Sequence, residues 1–165
     1  MPCYLAPKNV ALFTRHRVYS ETEIRARYEI KLDNYCKVLR IEASTMLDMV
    51  RKDILPAVSA YSKTLVDTAL AKKSLSSSID YSFEAEEALK LSGLTASAVG
   101  KARILEDALR EVGDIADTLA QARFYRETVL AAMNELRVVV DAMETHTAAR
   151  YWPYPSYGEL LFSVK

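Results

Sequence analysis

Few side chains of this 165-residue sequence are spaced for chemistry. The two histidines stand apart, His16 in a basic turn and His146 at a predicted helix end, where a cation suits the dipole. An inward-facing di-metal site in a helical bundle needs Glu-x-x-His pairs, but Phe13 and Met143 occupy the positions three before the histidines. Both histidines are therefore expected at the surface. Cys3 and Cys36 show no metal spacing, and Cys36 has no base beside it to activate it, so a buried, inert thiol is expected. Gly93 to Gly100-Lys101 imitates a phosphate loop. Six residues separate its glycines instead of four, Ala102 replaces the magnesium-binding hydroxyl, and no strand precedes. Glu84, Glu86 and Glu87 fall where a first helical turn favours negative charge, which reads as a solvated helix start. Glu42 lies close to an apolar stripe. It is either a stripe-edge or ion-paired carboxylate, since a buried one needs an arginine or backbone donors, or a contact to another domain. No catalytic, cofactor-binding or metal residue emerges. The candidates are residues for interaction: Glu42, and Trp152, Tyr154, Tyr157 and Phe162 in the ending.

The elements that would carry these residues are helices. Four glycines and five prolines leave few breaks. Ser20 with Glu23 makes a capping box, preceded by a short helical piece over Pro7 to Arg15. Apolar or small residues then recur at Ile24, Tyr28, Leu32, Tyr35, Leu39, Ala43, Met46, Val50, Ile54, Val58, Tyr61 and Leu65, in steps of three and four. The phase survives Pro56, which predicts one helix over 20–71, bent at the proline. Two more helices are predicted over 82–113 and 118–147, capped by Ser82 and by Asp117 or Thr118, with Gly113 as a helix-ending residue. Short connections make them antiparallel neighbours. Gly93 and Gly100 either permit close helix contact or break the second helix. The fold class is all-α: a long bent helix, two returning antiparallel helices forming a bundle over 20–150, and a docked irregular aromatic tail over 151–165. The first half of the long helix outruns its partners and must lean on something else.

Composition sets bounds on function. Lys plus Arg equals Asp plus Glu at 22 each, which argues against a nucleic-acid or anionic-membrane surface. No apolar run approaches a membrane span, the N-terminal residues lack the pattern of a signal peptide, and two cysteines do not make a disulfide framework, so a cytoplasmic setting is expected.

The ending is the most distinctive segment. Tyr151-Trp152-Pro153-Tyr154-Pro155-Ser156-Tyr157-Gly158-Glu159-Leu160-Leu161-Phe162-Ser163-Val164 has two prolines that oppose a helix and five aromatic rings. It is too apolar for a free tail, so Trp152 and Phe162 are expected to be buried, within the chain or in an interface. First contacts are expected near Leu65 to Ser82.

This ending resembles that of type III glutamine synthetases, the large bacterial class. Asn34-Tyr35-Cys36-Lys37-Val38-Leu39-Arg40-Ile41-Glu42-Ala43-Ser44-Thr45-Met46-Leu47-Asp48-Met49 with Asp53-Ile54-Leu55-Pro56-Ala57 is similar to the family's post-catalytic helix. Leu12 to Glu21, Arg27-Tyr28-Glu29, and Phe124 to Glu144 are similar as well, while Lys72 to Gly113 is the least similar stretch. The resemblance implies that 1–19 is a remnant of the end of the catalytic domain and that the catalytic and nucleotide-binding residues lie upstream. It implies a parent that joins ammonia to glutamate with ATP and Mg or Mn, with this region a non-catalytic, bacterial, cytoplasmic piece. Its partners would be the upstream catalytic domain and neighbouring subunits, with no nucleic acid and no membrane. A free-standing helical adaptor is the alternative. An independent enzyme has no constellation to support it.

Overall fold

The computed structural model describes residues 2–155 and 157–162. All regular elements among them are helical, as the all-α reading expects. In chain order they are a 3-10 turn at Pro2–Leu5, α1 (Pro7–Arg15), α2 (Glu21–Met49), a π segment at Val50–Ile54, and α3 (Leu55–Leu75). These are followed by α4 (Ser82–Glu111), a 3-10 turn at Val112–Asp114, α5 (Thr118–Phe124), a second π segment at Tyr125–Val129, α6 (Leu130–His146) and α7 (Tyr157–Phe162).

Local chemistry explains the ends. After α1 the Val18 N–H donates to the Phe13 carbonyl (3.0 Å) and the Arg17 N–H to that of Thr14 (3.1 Å), a Schellman closure. Arg17 takes the left-handed conformation there (φ 53°) that glycine usually fills. Ser20 and Glu23 form the predicted capping box, the Ser20 N–H donating to Glu23 Oε2 at 2.7 Å and the Glu23 N–H to Ser20 Oγ at 3.3 Å. Asp117 caps α5, accepting from the Ala120 N–H at 2.7 Å. At α4 the carboxylate of Asp80, not the hydroxyl of Ser82, meets the first amide: the Ser82 N–H donates to Asp80 Oδ1 at 2.9 Å. Gly113 lies inside a 3-10 turn and not at a left-handed helix end, since no described glycine has positive φ.

Pro56 is absorbed without a chain reversal. It has no N–H, and in an α-helix its ring crowds the carbonyl four residues back. The preceding turn is widened to π geometry, with the Leu55 N–H donating to the Val50 carbonyl, and helix continues to Leu75. Gly93 and Gly100 sit in an unbroken helix, and a Cβ at either would meet nothing within 4 Å. Neither expected role, close contact or break, applies to them.

The residues group into two compact units: those up to Ser44 with Asp107–Ala131, and Thr45–Glu106 with those from Ala132 onward. In the first, the stripe of α2 is covered by the chain itself. Ile24, Tyr28, Leu32, Cys36, Leu39 and Ala43 are buried, and the Tyr4 ring stacks on Tyr28 at 6.5 Å. On the same helix Ile30, Val38 and Ile41 stay exposed. In the second unit, ion pairs mark the helix directions. Arg51 meets Glu106 (2.6 Å) and Lys72 meets Glu84, so α3 and α4 run antiparallel. Lys101 meets Glu135 (2.8 Å) and Glu87 meets His146 (2.9 Å), so α4 and α6 do as well. The core between them holds Val58, Leu65, Leu91, Ala98, Leu136 and Met143.

Candidate functional site

The tail meets the second unit along one side of α3. Two turns of hydrogen bonding close the end of α6, from the Tyr151 N–H to the Ala148 carbonyl (2.8 Å) and from the Trp152 N–H to that of Ala149 (3.2 Å). They deliver Tyr151 against Tyr61 and Thr64. The two rings lie 5.2 Å apart at 42°, and the Tyr151 hydroxyl shares a 2.9 Å hydrogen bond with Thr64 Oγ1. The Arg150 guanidinium lies over the Tyr151 ring at 4.9 Å. Three residues on, the Tyr154 hydroxyl donates to Asp53 Oδ2 at 2.7 Å. The tail therefore runs back along α3 toward its N-terminus. Its contacts lie from Asp53 to Thr64, short of the expected Leu65 to Ser82 stretch, because the turns at Ala148–Trp152 reverse the chain.

The two phenols are tuned in opposite directions. The hydrogen bond from Thr64, with Arg150 nearby, lowers the pKa of Tyr151. Burial, then the Asp53 carboxylate, pushes Tyr154 up to about 12. The first would accept charge more readily than a free tyrosine, and the second stays a protonated donor.

The predicted interaction residues do not converge. Trp152 and Tyr154 are half-buried and line one hollow with Glu144, Thr147, Pro155 and Glu159. The expectation that Phe162 is buried fails within the chain: it is 80% exposed, beside Leu160 at 63% and Leu161 at 70%. Those three lie on α7, a short helix in a segment expected to be irregular. The Tyr157 side chain, Ser156 and 163–165 lie outside the described residues. Glu42 is exposed, a stripe-edge residue and not a buried carboxylate.

Other singled-out groups take structural positions. Cys36 is buried, and burial, then Asp33, raises its pKa, which suits an inert thiol. His146 is not a free surface group, since its Nδ1 lies 2.9 Å from Glu87. Glu84 and Glu87 are half-buried ion-pair members instead of a solvated first turn, and only Glu86 of that run is exposed. Sequence reasoning missed Asp53, Tyr61 and Thr64 as the receivers of the tail. Tyr61 was legible as a stripe residue, while Asp53, in the π segment before α3, and Thr64 carried no signal. Among the described residues no three His, Cys, Asp or Glu side chains come together as a metal site, and no helix is long and apolar enough to cross a membrane.

Residues 1–73 match the glutamine synthetase C-terminal domain family. The whole chain is 40% identical to a glutamine synthetase of Butyrivibrio fibrisolvens, of which it spans 24%. Over 94% of its length it is 28% identical to a type-3 glutamine synthetase of Dictyostelium discoideum, and over 97% it is 25% identical to a glutamine synthetase of Bacteroides fragilis. It spans 22% of each of those two, so the chain corresponds to about a quarter or less of the length of the relatives it matches.

Proposed function

Because this chain belongs with the glutamine synthetases through their C-terminal domain, matched over residues 1–73, we propose that it is the helical, non-catalytic C-terminal region of a type III glutamine synthetase. The parent joins ammonia to glutamate with ATP and Mg or Mn. This region supports the upstream catalytic domain or the contacts between subunits, in a cytoplasmic enzyme. The observation that carries the reading is similarity along the entire chain to relatives about four times as long. The docked tail adds to it. The family-like ending is held by Tyr151 on α3 and by Tyr154 on the π segment before it, which is structural work.

The chemistry of the parent is assigned to residues outside this chain, and the type-3 name is borne by a Dictyostelium relative as well as suggested here for a bacterial class. Two measurements test the reading. The pure chain is expected to show no ligase turnover and no heat of binding on titration with magnesium-ATP; micromolar binding would overturn its non-catalytic assignment. Assembly of the parent with and without this region then tests the structural role, and an unchanged, active oligomer lacking the region would remove it. The adaptor reading rests on the exposed apolar row Leu160, Leu161 and Phe162. A coding sequence without a catalytic domain upstream of Met1 would favour it.

A further inference from the structure

The first compact unit has a hollow of about 250 Å³. A strip of α2 lines it with Asp33, Lys37 and Arg40, three and four residues apart and so on one helix face. Leu109 of α4 lines it too, with Gln121 of α5 and Tyr125 of the π segment that follows.

Tyr125 is the group without a counterpart. It is 4% exposed, yet its hydroxyl has no hydrogen-bond partner among the described residues. Its oxygen is not sealed in the core either, since the only fully buried, unpartnered side-chain oxygen among the described residues belongs to Glu84. The hydroxyl therefore opens on the hollow that its residue lines. Gln121 gives its amide hydrogen to the Ile115 carbonyl and not to this oxygen. A donor held this deep in the protein gains by meeting an acceptor. Tyr125 also opens the second π segment. The first such segment is explained by Pro56, whereas this one holds no proline. Single π turns inside α-helices recur at functional sites.

A cation stands ready beside it. Lys37 is paired with Asp33 at 2.7 Å, but Arg40 has no ion pair among the described residues. Burial raises the pKa of Tyr125 and Arg40 acts against that rise, so the guanidinium is close enough to be felt at the phenol.

From these features we infer that the hollow binds a small carboxylate, with the Tyr125 hydroxyl and the Arg40 guanidinium donating to its oxygens. The planar guanidinium matches a carboxylate in shape as well as charge. Lys37 and Arg40 against Asp33 leave one net positive charge on the lining, which suits a monoanion. A phosphate group carries about −1.5 to −2 charges at neutral pH and would bring excess negative charge to Asp33. Pockets that enclose drug-sized ligands measure about 300–1,000 Å³, so this hollow takes a smaller molecule. The site goes beyond the supporting role proposed above and does not depend on it.

Titration of the whole chain with acetate tests the site, read by NMR of backbone amides and tyrosine rings, with sodium chloride at equal ionic strength as the blank. Saturable shifts centred on Tyr125 and Arg40 are expected, with a Kd in the millimolar range. Tyr125→Phe and Arg40→Gln should each raise that Kd at least about tenfold, the worth of a hydrogen bond to a charged group, with helical circular dichroism unchanged. Arg40 is exposed, so its variant keeps the test decisive even if Tyr125→Phe disturbs folding. Shifts that never saturate, or that chloride reproduces, overturn the site, as does wild-type affinity in either folded variant. Inorganic phosphate that binds the same residues more tightly than acetate overturns the assignment to a carboxylate.

Discussion

Tyr154 is the residue whose chemistry is most altered by its position. Its hydroxyl donates to Asp53, and burial together with that carboxylate holds its pKa up at about 12, above the ordinary value of 10.0. The folded state therefore keeps a proton that the unfolded chain releases. The contribution of Tyr154 is complete below the unfolded value and disappears as pH rises through the folded one. Stability should fall between about pH 10 and pH 12, and Tyr154→Phe should remove that part of the slope. At neutral pH the same change should cost about 0.5–1.5 kcal/mol, the worth of one hydrogen bond. Denaturant melts of both proteins across this range, with ultraviolet titration of the tyrosinate band, check both statements. A titration curve identical in the two proteins would show that Tyr154 is not the late-titrating phenol.

At the scale of elements, α4 is weaker than it needs to be. Gly93 and Gly100 are exposed in the helix interior, with open space where a Cβ would stand. Gly93→Ala and Gly100→Ala should each stabilise the protein by about 0.5–1 kcal/mol. Two turns apart on one helix, the gains should add, and a thermal melt of the double variant reads the sum. The start of α4 depends on charge. Lys72 holds the Glu84 pKa below its ordinary 4.5, and Lys90, then His146, do the same for Glu87. Carboxylates lowered in the folded state stabilise it above the unfolded pKa and lose that contribution as pH falls through the folded value. The contacts of α4 with α3 and α6 should therefore weaken as pH falls below about 4.5. Lys72→Met should make the melting temperature less sensitive to acid in that window, measured by circular dichroism.

For the whole molecule, the tail is the decisive test. Three half-buried aromatics and two side-chain hydrogen bonds, less the entropy of ordering the segment, amount to about 2–3 kcal/mol. Removing 151–165 should lower the stability of the chain by about that much. An unchanged melting temperature would show that the ending acts only outside the chain. Trp152 offers a second reading: its half-buried position predicts emission that shifts to the red on unfolding.

What the sequence determined by itself is what depends on neighbours in the chain. The periodicity from Ile24 to Leu65 located the buried face of the long helix, the capping box at Ser20 and Glu23 located its start, and the aromatic ending marked a segment that docks. Spacing and capping are local, so they can be read from types and intervals. The tertiary structure alone decided the rest. It placed Tyr154 on Asp53, 101 residues away, and His146 on Glu87, 59 residues away. It widened the turn ahead of Pro56, left Gly93 and Gly100 facing open space, and kept Phe162 exposed while Tyr151 docked. Each of these depends on which helix flank meets which partner. A hydrophobic stripe gives the direction of the core but not the identity of the residue across it.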